Sequence, residues 1–192
     1  AVDLFRGRLV NSDGDTHARR RKLVNRSFTP GAVAKWRPFI EQTVNELIDT
    51  MEPLGSTDLV PAFSYPVPER VICRMLGVPG DDHELFEGWT QVLNNRSVTG
   101  VDDETQRRRA AKALIEFGAY VRSIIEERRD SQSDDLVSQL IATEAQGEQM
   151  DETELVAMII EMIGGGHDTT ANTITNGVLT LLTNPDQFEQ LA

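Results

Sequence analysis

A single cysteine, Cys73, is all that the 192 residues provide. No intrachain disulfide can form, and no Cys-x-x-Cys or paired Cys/His spacing offers a structural zinc site. A reducing, cytoplasmic compartment is the simplest reading. Cations are also scarce: 19 Lys and Arg stand against 31 Asp and Glu, and the net charge of -12 disfavours attraction to nucleic acid or anionic membrane. No uninterrupted apolar run reaches the roughly 18 residues that would span a bilayer as a helix. The apolar share is ordinary, which excludes intrinsic disorder and collagen-like repeats. Internal repeats, low-complexity tracts and linkers are likewise missing, so one partial domain, 1–192, is expected. The chain opens without an initiator Met or a signal-peptide pattern and stops inside a helix-like stretch, NPDQFEQLA; both ends are expected to be cuts in a longer protein.

What remains is mainly α. A first helix is expected after Asp15 or Thr16, through HARRRKLVNRSF, ending near Thr29-Pro30-Gly31. A second, from about Val33 to Met51, carries an apolar stripe that includes Trp36, Val44 and Leu47. A third starts around Val67-Pro68, contains Cys73 and stops at Gly77. Further helices are expected from Asp81 to about Leu93, from Asp103 to Arg129, and over DLVSQLIATEA, with polar loops at NNRSVTGVDD and QGEQMDETE. Asp151 with Glu154 three residues on suits a capping-box start. Beyond it no proline occurs until Pro185, and a helix over about 152–183 would span about 48 Å at 1.5 Å per residue.

Inside that helix lies GGGHDTTAN, Gly164 to Asn172. Each glycine in a helix interior costs on the order of 1 kcal/mol relative to Ala, so three in a row give up about 3 kcal/mol. Either two helices pack closely there, or something flat needs the space. Met162, Gly165, Gly166, Thr169 and Thr173 fall near one face, and the Thr169 hydroxyl is within reach of the Gly165 carbonyl, four residues earlier. The result would be a groove flanked by a hydroxyl and the Asp168 carboxylate.

The segment GGHDTT resembles the (Ala/Gly)-Gly-x-(Asp/Glu)-Thr-(Thr/Ser) stretch in the central helix of the cytochrome P-450 family, the haem-thiolate monooxygenases. Upstream, THARRRKLVNRSFTP is similar to the family's His-x-x-x-Arg helix with its Phe-Thr-Pro turn, His17 and Arg21 filling the positions. The stretch ending in Leu-Gly-Val-Pro, the short DDLVSQLIATE helix and LLTNPDQFEQL follow in the family's order, so the resemblance covers essentially the whole chain. DGD at Asp13 to Asp15, where Asp-Pro-Pro is usual, is a modest departure in a turn. After the central helix, neither the family's Glu-x-x-Arg pair nor its late Phe-x-x-Gly-x-x-x-Cys-x-Gly loop occurs in this sequence. Cys73, mid-helix among apolar residues, cannot stand in for the loop cysteine and reads as a small buried hydrophobe.

The resemblance implies the central helical portion of the cytochrome P-450 fold, in a bacterial protein of the soluble branch. It implies haem b, ligated by a thiolate from outside this chain, and insertion of one oxygen atom of O2 into a small organic substrate. His17 and Arg21 would hold the haem propionates; Gly165, Gly166 and Thr169 would face the haem. Asp168 and Thr169 would carry protons inward, while Glu161 and Gly164 would face the substrate. Glu161 would there hold an amine-bearing or hydroxylated substrate, or be hydrogen-bonded to a neighbouring helix instead. A ferredoxin-type donor would dock near Arg19, Arg20 and Lys22, although these residues also read as a plain solvated face. His167 reads as the variable position of the motif, and His83, Trp36 and Trp89 as structural. The 192-residue piece alone is expected to be inactive and poorly soluble. A truncated non-catalytic homologue or an all-α binding module is the alternative.

Overall fold

A computed structural model describes residues 2–78, 85–86, 88–93, 104–131, 133–145 and 150–191. Its regular elements are all helical, with no strand among the described residues. They are α1 (Val2–Gly7), α2 (Gly14–Asn25), α3 (Pro30–Ala34), α4 (Arg37–Met51), α5 (Pro66–Leu76), α6 (Glu104–Asp130), α7 (Leu136–Ala145), α8 (Glu152–Thr183) and α9 (Pro185–Glu189). Short 3-10 turns at Leu9–Asn11, Arg26–Phe28 and Glu52–Leu54 and a π-helical turn at Val60–Ser64 join them. Residues 85–86 and 88–93 are helical too; the rest of the Asp81 to Leu93 expectation, the NNRSVTG loop, the approach to Asp103, the QGEQ loop and His83 lie outside the described residues.

Proline placement explains where the sequence reading of α2 to α4 needs correction. The expected single helix from Val33 to Met51 is two, because Pro38 has no N–H and its ring opposes the Ala34 carbonyl; the chain breaks at Lys35-Trp36 and restarts at Arg37. Pro30 instead opens α3 at its first turn, with the Thr29 hydroxyl accepting from the Ala32 amide at 3.3 Å. The first long helix likewise starts earlier, at Gly14, and gives way to a 3-10 turn after Asn25. Trp36 is half-buried rather than a core residue.

α5 ends as its sequence demands, on Gly77 in the left-handed conformation at φ 70°. A Cβ there would strike the Asp135 carboxylate, which is tied to Arg128. The Arg128 Nε donates to Asp135 Oδ2 at 2.6 Å and its Nη2 to the Gly77 carbonyl at 2.5 Å, so one guanidinium fastens the ends of α5 and α6 to the start of α7. Asp135 Oδ1 also caps α7, accepting from the Ser138 amide at 2.7 Å. Around α6 a ring cluster joins Phe86, Trp89, Phe117 and Tyr120, with Trp89 stacked on Phe117 at 5.0 Å.

α8 is the axle. Its 32 residues are preceded by the cap Asp151, whose side chain accepts from the Glu154 amide at 2.8 Å, and followed by Asn184 before Pro185. Leu155 to Ile160 are all buried, which a helix achieves only when surrounded. α5 packs most extensively against it, followed by α1 and α6. The first residues, Val2 to Asn11, form a strap over this buried half. Gly7 permits the close approach: a Cβ there would lie 2.8 Å from the Ala157 Cβ and 3.4 Å from the Thr153 carbonyl.

The capping box is only half made. Glu154 does not reach back to the helix start but joins Arg19 and Arg20, accepting from Arg19 Nη2 at 2.5 Å and from Arg20 Nη2 at 2.7 Å. Two charged donors outweigh one backbone amide. Arg20 continues to the strap, donating to the Arg6 and Arg8 carbonyls at 3.2 and 3.3 Å.

Candidate functional site

The glycine run of α8 divides into two uses. A Cβ on Gly166 would meet Ile72 Cδ1 of α5 at 3.2 Å, so this glycine serves close helix packing. At Gly164 and Gly165 an added Cβ would meet nothing within 4 Å, and Gly165 is exposed. Gly166 therefore serves packing, while Gly164 and Gly165 border open space among the described residues. Gly165 and Gly166 are about 100° apart around a helix, so α5 can press on one and leave the other clear.

The exposed Thr169 hydroxyl donates to the Gly165 carbonyl at 2.6 Å, as the spacing predicts. That donation occupies its proton and leaves its lone pairs facing out. Thr173, Thr175, Thr180 and Thr183 repeat the bond, each to the carbonyl four residues earlier, a series the sequence reading took up only at Thr169. Asp168 is half-buried beside Thr169, and its Oδ1 lies 3.1 Å from the His167 Nδ1. His167 is buried, its ring edge-on to Tyr65 with centroids 5.1 Å apart, and among the described residues its Nε2 has no hydrogen-bond partner. The sequence reading passed over this histidine as a variable position. Its i, i+4 register with Ile163 and Ala171, the stripe that α8 buries here, was the available signal.

Glu161, one turn before Gly165, is half-buried and engaged. Its Oε2 accepts from the Leu9 amide at 2.5 Å and its Oε1 from the Val10 amide at 2.9 Å. The partner is thus the strap's Leu9–Asn11 turn rather than the neighbouring helix expected from the sequence.

On α2, His17 is half-buried and Arg21 exposed, four residues apart on one face. Among the described residues no hydrogen bond or ion pair engages the Arg21 guanidinium. Arg20 requires correction as a docking residue: its side chain is 8% exposed and clamped by Glu154, because the helix turns it inward to the strap. Arg19 is 42% exposed and Lys22 is exposed. Burial disfavours the Glu154 carboxylate, yet the hydrogen bonds and charges of Arg19 and Arg20 prevail and hold its pKa below the ordinary value.

Cys73 is buried in the core, as expected of a small hydrophobe. Among the described residues no group of His, Cys, Asp and Glu is arranged to hold a metal ion, and no helix is long and apolar enough to cross a membrane. A cleft of about 930 Å³ lies elsewhere, walled by Trp36, Arg74 and Gln139, and shares no residue with the glycine groove.

The model of the family described as Cytochrome P450 matches residues 4–192. Cytochrome P450 CYP107DY1 of Priestia megaterium is 37% identical over 183 residues, 95% of this chain and 44% of that protein. The fold superposes on CYP109E1 from Bacillus megaterium in complex with testosterone at a TM-score of 0.89 and 35% identity, covering 98% of this chain and 49% of that one. It superposes on P450BioI in complex with hexadec-9Z-enoic acid ligated acyl carrier protein at a TM-score of 0.90 and 26% identity, covering 98% and 49%. The chain thus spans under half the length of the curated relatives it matches. With the family's motif on an open-faced central helix and the match running almost from end to end, the chain belongs to the cytochrome P450 family.

Proposed function

We propose that the full-length protein is a haem-dependent monooxygenase, and that this chain supplies the wall of its reaction chamber opposite the thiolate. The observation that carries this reading is the face at Gly164, Gly165 and Thr169, where among the described residues an added Cβ at either glycine would meet nothing within 4 Å and the threonine is exposed. Haem b fits the residues present. The face is flat, Arg21 is an unengaged cation four residues from His17, and both suit propionate carboxylates. When bound, haem with a thiolate from outside this chain supplies the redox chemistry by which O2, two electrons and two protons convert R–H to R–OH and water.

The chain's own residues do three things in that reaction. Gly165 keeps the helix surface flat, while Gly166 lets α8 lie close against α5 and so fixes the height of the groove. Thr169 accepts a hydrogen bond from water through its free lone pairs; releasing the Gly165 carbonyl turns it into a donor and opens a second acceptor beside it. Asp168, held near His167 and still in partial contact with solvent, passes protons inward to that water. Gly164 borders the substrate, a small organic molecule. A ferredoxin-type donor approaches α2 through Arg19 and Lys22, without Arg20. The single cysteine suits residence in the cytoplasm.

The test is Thr169→Ala in the full-length protein. Consumption of the electron donor is expected to continue while product falls, with hydrogen peroxide released instead. Coupling equal to that of the parent overturns the assignment.

A further inference from the structure

We propose that Glu161 is a positioning residue, a latch that holds the strap's Leu9–Asn11 turn over the rim of the glycine groove. The proposal rests on the reading of that groove as the reaction side of α8. Both oxygens of the carboxylate are taken by consecutive strap amides, at 2.5 Å from Leu9 and 2.9 Å from Val10. Two of the roughly four acceptor sites of this carboxylate are thereby taken by the chain's own backbone.

The strap has two independent fastenings, and they differ in kind. Near its start, Gly7 is wedged against Ala157 and Thr153, Leu4 is buried against Gly118, and Arg20 grips the Arg6 and Arg8 carbonyls. Those contacts combine buried packing with two part-buried hydrogen bonds. At its other end the Leu9 and Val10 amides are held by Glu161. The turn itself is closed locally, since both the Ser12 amide and hydroxyl donate to the Leu9 carbonyl, at 3.1 and 2.6 Å. Losing Glu161 therefore leaves the turn only the packing of the half-buried Leu9 side chain on the core, and the turn loosens as a unit while α1 stays docked. Position gives the latch its consequence. On the face that carries Glu161, the next two turns present Gly165 and Thr169, both exposed. The strap ends where the groove begins.

The experiment uses the full-length holoprotein with Glu161→Leu and Glu161→Gln. Hydrogen exchange at the Leu9 and Val10 amides is expected to quicken about tenfold or more in the Leu variant and less in the Gln variant, which keeps one acceptor. Exchange over Leu4 to Gly7 is expected to stay as in the parent. Carbon monoxide, rebinding to the reduced protein after a light flash, is the probe of access to the groove; its bimolecular rate is expected to rise severalfold in the same order. Parental exchange at Leu9 and Val10 in both variants overturns the latch. Faster exchange with unchanged carbon monoxide rebinding overturns its control of the groove. The reading of the groove itself is judged separately, by the coupling of Thr169→Ala.

Discussion

From Leu155 to Ile160 the central helix buries every residue, whereas from Gly164 to Thr183 it buries only His167 and Ala171. The first half is surrounded by α1, α5 and α6 and secured at its start by the Asp151 cap and the Arg19–Glu154–Arg20 cluster. Among the described residues the second half packs against α5, the π-helical turn and α9 and is otherwise uncovered, with Leu179 and Leu182 exposed. One rigid rod can thus be anchored by one half and presented by the other. A flat group can rest on the open half without the protein having to order that surface for the purpose, because the buried half has already fixed it.

Substitutions in the full-length protein can break this division. The largest effect is expected at Ile159, fully enclosed in the buried half: Ile159→Ala should cost about 4 kcal/mol in chemical denaturation, from lost transfer energy and the cavity left behind. Glu154→Ala should cost about 3 kcal/mol, because it strands Arg20 without its carboxylate in a site where the guanidinium is nearly enclosed. The acid side of the stability profile checks the same contact. A carboxyl held below its ordinary pKa of 4.5 in the folded state contributes stability that is present above that value and lost as pH falls through the folded one. Glu154→Gln should therefore flatten the loss of stability on acidification below about pH 4.5, followed by thermal unfolding across pH.

The smallest expected change in stability is at Gly164. With nothing within 4 Å of an added Cβ, Gly164→Ala should leave stability unchanged or raise it by about 1 kcal/mol, the helix propensity recovered. Substrate affinity should nonetheless fall, since the methyl group projects into the open groove. A Gly164→Ala variant as destabilised as Ile159→Ala, measured in the same denaturant series, would abolish the distinction between the two halves.

Much of this arrangement is legible in the sequence because it is written in local chemistry. Pro185 and the Asp151 cap bound α8, and the expected 152–183 is the observed Glu152–Thr183. Gly77 ends α5, and the four-residue step from Gly165 to Thr169 fixes a hydroxyl on a carbonyl. What was not legible depends on partners distant in the chain. Which glycine faces Ile72 and which faces open space is decided by the approach of α5, not by the run of three. Arg20 and Arg19 are neighbours in a basic stretch, but only the position of Glu154 and the strap turns one inward and leaves the other at the surface. Glu161 was ambiguous for the same reason: a carboxylate in an apolar helix announces a partner without naming it. The Lys35-Trp36 break is of another kind, since Pro38 and its clash with the Ala34 carbonyl are visible in the sequence, but the apolar stripe runs across them and reads as one helix.

The strap also bears on the order in which the protein can assemble. Leu9 and Glu161 are 152 residues apart, so at about 10 residues per second the ribosome releases the strap about 15 s before its anchor exists. Helices α2 to α7 can acquire local structure in that interval, whereas the strap cannot dock until α8 has emerged. Nascent chains halted before Glu152 are therefore expected to be cut readily by protease between Val2 and Asn11, and chains halted beyond Thr183 to resist there.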